Sequence, residues 1–369
     1  MHEKMVRPFL NLRRSHWGRI EPGPRAVALA QATKKNGKVV APHMKPTQPL
    51  AEPVARLAQS VLEASQRIHD VVKRTRVVDL SSLFPESGAT VFAKLENEQE
   101  TGSFKLRGAS NKILSLSAEE RRAGVTTASN GNHGLGLALA AQRTDTPAEV
   151  FVSDQVAPER IDRIATFRVK ITRAGKQPLD AEIAARSEAA RTGRIFVSPY
   201  NDYQVVSGQG TAAVELLDQL PAVDAVFITV GCGGLLGGMG AYLKQAAPQT
   251  EVVACWPENS RVLYECLNAG KIIEFEEQTT LSDSSAGGVE EGSITFAMAQ
   301  SVIDSRVLVT EEEILATIRL VKREKGWLIE GAAAVALAAF AKTSKQYAGK
   351  TVAVVLCGGN VSEWVRRLV

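Results

Sequence analysis

Residues 101–109 read TGSFKLRGA. One lysine, Lys105, stands between Phe104 and Leu106, with glycines on both sides and Arg107 two places on. Lysine seeks water, and apolar neighbours in a short turn-like segment leave two readings. Its stem can follow an apolar surface with the ammonium in solvent. Alternatively the amine is kept out of water, where desolvation and a nearby cation lower its pKa and make it a nucleophile. The segment alone does not choose.

On either side of it the chain alternates two periodicities. Helical spacing of apolar residues runs through 53–72, and a helix with a SAEE start at 117–120 runs to Gly124. Further helical stretches cover the turn and helix of GNHGLGLALAAQR, then 180–191, 209–220, 235–246, 311–326 and 331–342. Between them lie short apolar runs read as strands at 90–96, 124–129, 148–153, 193–198, 225–230, 251–256 and 351–356. Strands that are apolar throughout and alternate with helices predict an α/β protein with parallel sheets covered on both faces. A chain of 369 residues suits two domains or one large α/β unit.

Composition removes several function classes. No run approaches eighteen apolar residues, so no membrane-spanning helix is expected. Cys232, Cys255, Cys266 and Cys357 form no CxxC pair, which predicts a reduced, cytosolic protein, not a disulfide scaffold or zinc module. The five histidines are dispersed without HxxxH or HExxH, and no metal site is expected. Basicity is confined to residues 1–50, where ten Lys/Arg face Glu3 and Glu21; the other 319 residues hold 34 basic and 38 acidic groups. A disordered tail, an anionic-surface contact and an organelle transit segment compete for that leader. Its prolines and lack of apolar periodicity favour a disordered extension.

Three glycine-rich elements carry the chemistry. VGCGGLLGGMG (230–240) follows a strand and opens a helix, where free backbone N–H groups and the helix N-terminus suit a phosphate. A nucleotide reading also exists, with Glu258 at about the ribose-binding distance, but the spacing is not GxGxxG. ASNGNHGLGLALAA (128–141) sets Ser129, Asn130, Asn132 and His133 at another strand-to-helix turn, fit for a carboxylate or a ring hydroxyl, or for helix capping. VVLCGGNV (354–361) ends a buried strand in Cys357; alone it has no function.

Together with the lysine segment these elements resemble, in order, the motifs of the fold-type II pyridoxal-phosphate enzymes of the threonine/serine dehydratase and serine racemase family, over roughly 51–369. SGQGTAAVELL (207–217) and IEGAAAVALAA (329–339) add to the match. The resemblance implies a tryptophan synthase β-like fold of two open, doubly wound domains with pyridoxal 5′-phosphate in the cleft between them. The large domain comprises 51–115 and 201–369, and a small mobile domain 116–200. Closure of the small domain would exclude water.

It also implies roles. Lys105 is the catalytic residue and joins the cofactor aldehyde, with Phe104 near the ring. Asn132 meets the ring hydroxyl, the backbone from Gly231 through Cys232, Gly233 and Gly234 to Leu235 holds the phosphate, and Cys357 faces the pyridine nitrogen as a neutral partner. Gly288, or Gly287, lies over the cofactor, and Glu330 faces it. Ser103, Ser129, Asn130 and His133 hold the substrate, and Tyr200 shapes its choice. The implied reaction is β-elimination from L-threonine or L-serine to a 2-oxo acid and ammonia, with a small amino acid as partner, no nucleic acid, and a homodimer as the assembly.

Departures narrow this. Racemases of the group place a serine base where Asn130 stands, and an amide cannot take that proton. Trp256 and Val262 replace the acidic metal ligands of some relatives. The chain ends nine residues after Asn360, without room for the regulatory domain of biosynthetic threonine deaminases. TLSDSSAGGVEEGSITF (280–296) resembles dehydratases of serine, threonine and the hydroxyectoine pathway. A nicotinamide-dependent oxidoreductase remains the reading from another class; it gives Lys105 and Cys357 no role.

Overall fold

Two parallel-rich sheets divide the strands between them. In this computed structural model, residues 52–220 and 222–369 are described; the predicted basic extension over 1–50 lies outside them. The larger sheet has the order β1 (Val77–Asp79), β2 (Thr90–Lys94), β10 (Thr351–Val355), β7 (Ala225–Thr229), β8 (Glu251–Pro257), β9 (Ser305–Val309). All its pairings are parallel except β1 with β2. The smaller sheet is wholly parallel, ordered β5 (Lys170–Arg173), β4 (Ala148–Val152), β3 (Val125–Ala128), β6 (Ile195–Phe196). Its strands all fall inside the segment 116–200.

The central strands have the apolar composition that burial on both faces demands. Every residue of AVFIT in β7 is buried, as is every residue of AEVFV in β4. In β4 this includes Glu149, whose carboxylate takes Lys170 and Arg194, each at 2.8 Å. The alanine-rich helix Gly331–Thr343 lies against β7, β8, β9 and β10 with ten successive buried residues. Helices Tyr203–Gln219 and Gly234–Ala246 approach so closely that a Cβ on Gly238 would stand 2.2 Å from the Val206 carbonyl oxygen. The SAEE start is a capping box: Ser117 Oγ accepts from Glu120 N at 3.1 Å, and the Glu120 carboxylate from Ser117 N at 2.7 Å.

Behind the lysine segment sits a cluster of buried charges. Arg107, fully buried, donates to Glu96 through Nε at 2.7 Å and Nη2 at 2.8 Å, and to Glu215 through Nη1 at 2.7 Å and Nη2 at 2.8 Å. Lys94 Nζ reaches the same Glu215 at 2.6 Å, and also Thr75 O and Gln219 Oε1, each at 2.9 Å.

Several expectations are corrected. The lysine segment is a turn only as far as Phe104: Lys105 is the first residue of helix Lys105–Ser115. The helix expected over 209–220 begins earlier, at Tyr203, where Asp202 caps it by accepting from Gln204 N and Val205 N. The strand expected over 193–198 shortens to Ile195–Phe196, and the helix expected to 72 ends at Ile68.

Candidate active site

Parallel strands end on one edge, and the chain leaves that edge to start its helices there. Lys105, Asn132 and Gly234 are each the first residue of a helix, and Glu330 is the N-cap of another. All four line one cavity of about 720 Å³. Four helix N-termini therefore bring partial positive charge to the same space, favourable for phosphate and carboxylate.

Lys105 Nζ donates to the Pro199 carbonyl oxygen at 2.9 Å and lies 5.3 Å from the centre of the Phe104 ring. Burial pushes its pKa below the ordinary lysine range; the nearby Cys232, Cys357 and Glu330 oppose this without cancelling it. Leu106 turns into the core while Phe104 lines the cavity, so the two apolar neighbours serve different surfaces.

The glycine loop fits a phosphate. Gly233 holds φ +90°, and a Cβ on Gly231 would stand 2.5 Å from the Ser285 carbonyl oxygen. Among the described residues nothing accepts from the N–H groups of Gly231, Cys232 or Gly233. Cys232 turns its thiol to the Gly288 carbonyl at 3.4 Å, and burial pushes its pKa up to about 11. Its own carbonyl accepts from Thr295 Oγ1 at 2.6 Å. Cys357 is 3% exposed and lines the cavity; burial, then the Glu330 charge, raise its pKa well above normal. A thiol held protonated is a neutral partner for a ring nitrogen.

Glu330 organises the polar groups beside the Cys357 segment. Asn132 Nδ2 donates to both its oxygens at 3.1 Å, Ser284 Oγ donates at 2.9 Å and Asn360 N at 3.2 Å. Burial nonetheless pushes its pKa up to about 7. Asn360 Nδ2 donates to Asn132 Oδ1 at 2.6 Å, which fixes the Asn132 amide with its NH₂ toward Glu330. The folded form thus binds a proton that the unfolded chain releases near pH 4.5, so this group's contribution to stability declines as pH rises from about 4.5 to 7. Replacing Glu330 by glutamine should flatten that decline, by an amount on the order of 3 kcal/mol at pH 8. Urea titrations of both proteins from pH 5 to 8 read it; parallel curves would refute the assignment.

The other predicted residues divide. Ser129, Asn130, His133 and Tyr200 line the cavity. Asn130's side chain is committed to Ser153, donating to its Oγ at 2.8 Å and accepting from its N at 2.9 Å. His133 Nε2 faces the Val197 carbonyl at 3.1 Å, and burial, then the Lys105 charge, push its pKa down to about 3. Its ring is neutral, so a carboxylate there would be held by the loop's backbone amides and the Ser129 hydroxyl. Tyr200 Oη accepts from Glu290 N at 3.0 Å. Ser103 does not line the cavity; it is fully buried beside Gly358, its hydroxyl without a partner among the described residues. Gly288 reaches the site only through its contact with Cys232. Glu258 does not line the cavity; its N–H bonds Val309 O at 2.8 Å. Trp256 is a core residue against Tyr264, and no cluster of three metal-ligating side chains occurs among the described residues.

The structure adds residues that sequence reasoning passed over. Arg160 pairs with Asp283 at 2.7 Å, Arg163 Nη2 donates to Asn360 Oδ1 at 2.7 Å, and both arginines line the cavity with Ser284 and Asn360. The amphipathic PERIDRIA stretch (158–165) was their only signal.

A family model described as pyridoxal-phosphate dependent enzyme matches residues 68–358. An L-threonine ammonia-lyase of Thermotoga maritima is 36% identical over 82% of this chain and 75% of its own. A beta-hydroxyaspartate dehydratase of Paracoccus denitrificans is 32% identical over 82% and 96%. The processed form of threonine deaminase isoform 2 from Solanum lycopersicum superposes with a TM-score of 0.83 at 30% identity, covering 88% of this chain and 95% of its own. No helix among the described residues is long and apolar enough to cross a membrane.

Proposed function

The chain belongs to the pyridoxal-phosphate-dependent enzymes, and from that premise we propose that it removes the β-hydroxyl and the amino group of a β-hydroxy amino acid such as L-threonine or L-serine, giving a 2-oxo acid and ammonia. The observation that carries the reading is Lys105, the one lysine lining the cavity among the described residues, its amine depressed by burial and seated among the helix N-termini. The relatives named for threonine and hydroxyaspartate elimination support it.

When bound, the cofactor supplies the electron sink that labilises the bonds at the substrate's α-carbon. Lys105 would hold its aldehyde carbon and would carry the α-proton at Nζ. The N–H groups from Gly231 to Leu235 would hold its phosphate, Asn132 would orient its ring hydroxyl, and the neutral thiol of Cys357 would meet its ring nitrogen. Amides of the Ser129–His133 loop orient the substrate carboxylate. Elimination is favoured over racemisation because Asn130, an amide already bonded to Ser153, offers no second base. Segment 116–200 closes on the rest and excludes water, and helix Lys105–Ser115 packs on helices of both parts, Asn132–Arg143 and Tyr203–Gln219. The reading includes a homodimer in the cytoplasm; the four free cysteines suit a reducing compartment.

Purified protein given L-threonine or L-serine should release ammonia and the matching 2-oxo acid in equal amounts, and little from the D isomers. Inversion of L-serine without ammonia would move the reading to a racemase. Absence of any visible cofactor absorbance would remove it.

A further inference from the structure

The cavity holds more cationic side chains than elimination from threonine requires. Helix Pro158–Ala165 buries Ile164 completely and packs Ile161 against the same core. That register leaves Arg160 and Arg163, three residues apart and hence adjacent on the helix surface, to line the cavity, and Arg366 lines it from the C-terminal segment. Among the described residues only Asp283 pairs with any of these guanidiniums, at 2.7 Å from Arg160. Arg163 donates instead to a neutral amide, Asn360 Oδ1, at 2.7 Å. Burial and then the charge of Arg366 hold Arg163 below the ordinary arginine range, while Glu330 and Arg160 act on it more weakly. Glu159, Glu330 and Glu363 also line the cavity but form no ion pair with these arginines, so Arg163 keeps a guanidinium that a bound anion could take.

Arg160 touches the loop assigned to the substrate carboxylate, and Arg163 is linked to it through one side chain. Arg160 Nη1 approaches Asn130 O at 3.4 Å, and Arg163 reaches Asn132 through Asn360. An α-carboxylate on that loop places a carboxylate on the β-carbon only three bonds away, beside the two guanidiniums.

We propose that Arg160 and Arg163 form a subsite for a second carboxylate, so that the preferred substrate is a dicarboxylic β-hydroxy amino acid of the 3-hydroxyaspartate class. This rests on the elimination reading above. Asp283 occupies one edge of Arg160, and the incoming carboxylate takes the Arg163 side.

The test compares kcat/KM for L-threo-3-hydroxyaspartate and L-threonine in wild type, Arg163→Gln and Arg163→Lys, with calorimetric binding of malonate to each holoenzyme. The expected result is a wild-type preference for the dicarboxylate of about tenfold or more, reduced by about 10- to 100-fold in Arg163→Gln and partly kept in Arg163→Lys. Malonate affinity should fall in step with that preference. Threonine turnover without a preference for hydroxyaspartate overturns the subsite and leaves elimination standing. So does an equal loss on both substrates with malonate binding unchanged. Ammonia from no β-hydroxy amino acid overturns the elimination reading itself.

Discussion

Lys105→Ala should reduce ammonia release by at least ~10³-fold. It should also abolish the visible absorbance of covalently held cofactor. No other lysine lines the cavity among the described residues, so no neighbouring amine can replace it. The fold should tolerate the change, because Nζ makes one hydrogen bond, to Pro199 O. A melting temperature close to wild type, with lost absorbance and lost turnover, is the combined outcome. Retained absorbance and turnover would show that a different group joins the cofactor, and would remove the central assignment.

Two residues further along the same helix the opposite behaviour is expected. Arg107→Ala should cost about 3–5 kcal/mol of stability, because it leaves Glu96 and Glu215 at a buried place with Lys94 as their remaining cation. Burial alone would push Glu96's carboxyl up, but the charge and hydrogen bonds of Arg107, with Lys94 and Thr75, hold it below the ordinary range. A carboxyl with a depressed folded pKa stabilises the fold above its unfolded pKa, and that stability is lost as pH falls through the folded value. The gap between wild type and Arg107→Ala should therefore be full at pH 7 and narrow below about pH 4.5. Urea denaturation at pH 7 and pH 4 measures both points. A loss under 1 kcal/mol at pH 7 would mean that water or a rearranged Lys94 compensates for the missing guanidinium.

The strands that the sequence reveals and those it hides differ by position in the sheets. Runs such as AVFIT and TVAVV are apolar but for one terminal threonine each, because neighbours cover them on both sides. The three strands that sequence reasoning passed over, β1, β5 and β9, all lie at sheet edges. Half-exposed KITR and SRVLV carry charges that break the apolar run. β6, also an edge, contracted from its expected length. In the site, glycine spacing located the loops, because backbone approach requires it. Side-chain direction was not legible in the same way. Nothing in SNGNHG states that Asn130 turns to Ser153, or that His133 is spent on a carbonyl. Arg163 from helix Pro158–Ala165, Glu330 from the loop after helix Glu311–Lys325 and Asn360 from the segment after β10 come together only in the fold.

Parallel strand direction also separates the molecule into two edges with different freedom to change. The connections that enter strands, at 144–147, 166–169, 247–250 and 344–350, lie on the edge remote from the helix starts. They can change in length without moving a catalytic atom, although Tyr347 in the last of them is held in the core against Phe227 and Phe340. The connections that leave strands, at 129–131, 230–233 and 356–361, have no such latitude. In this chain, divergence should accumulate on one rim of each sheet and be resisted on the other.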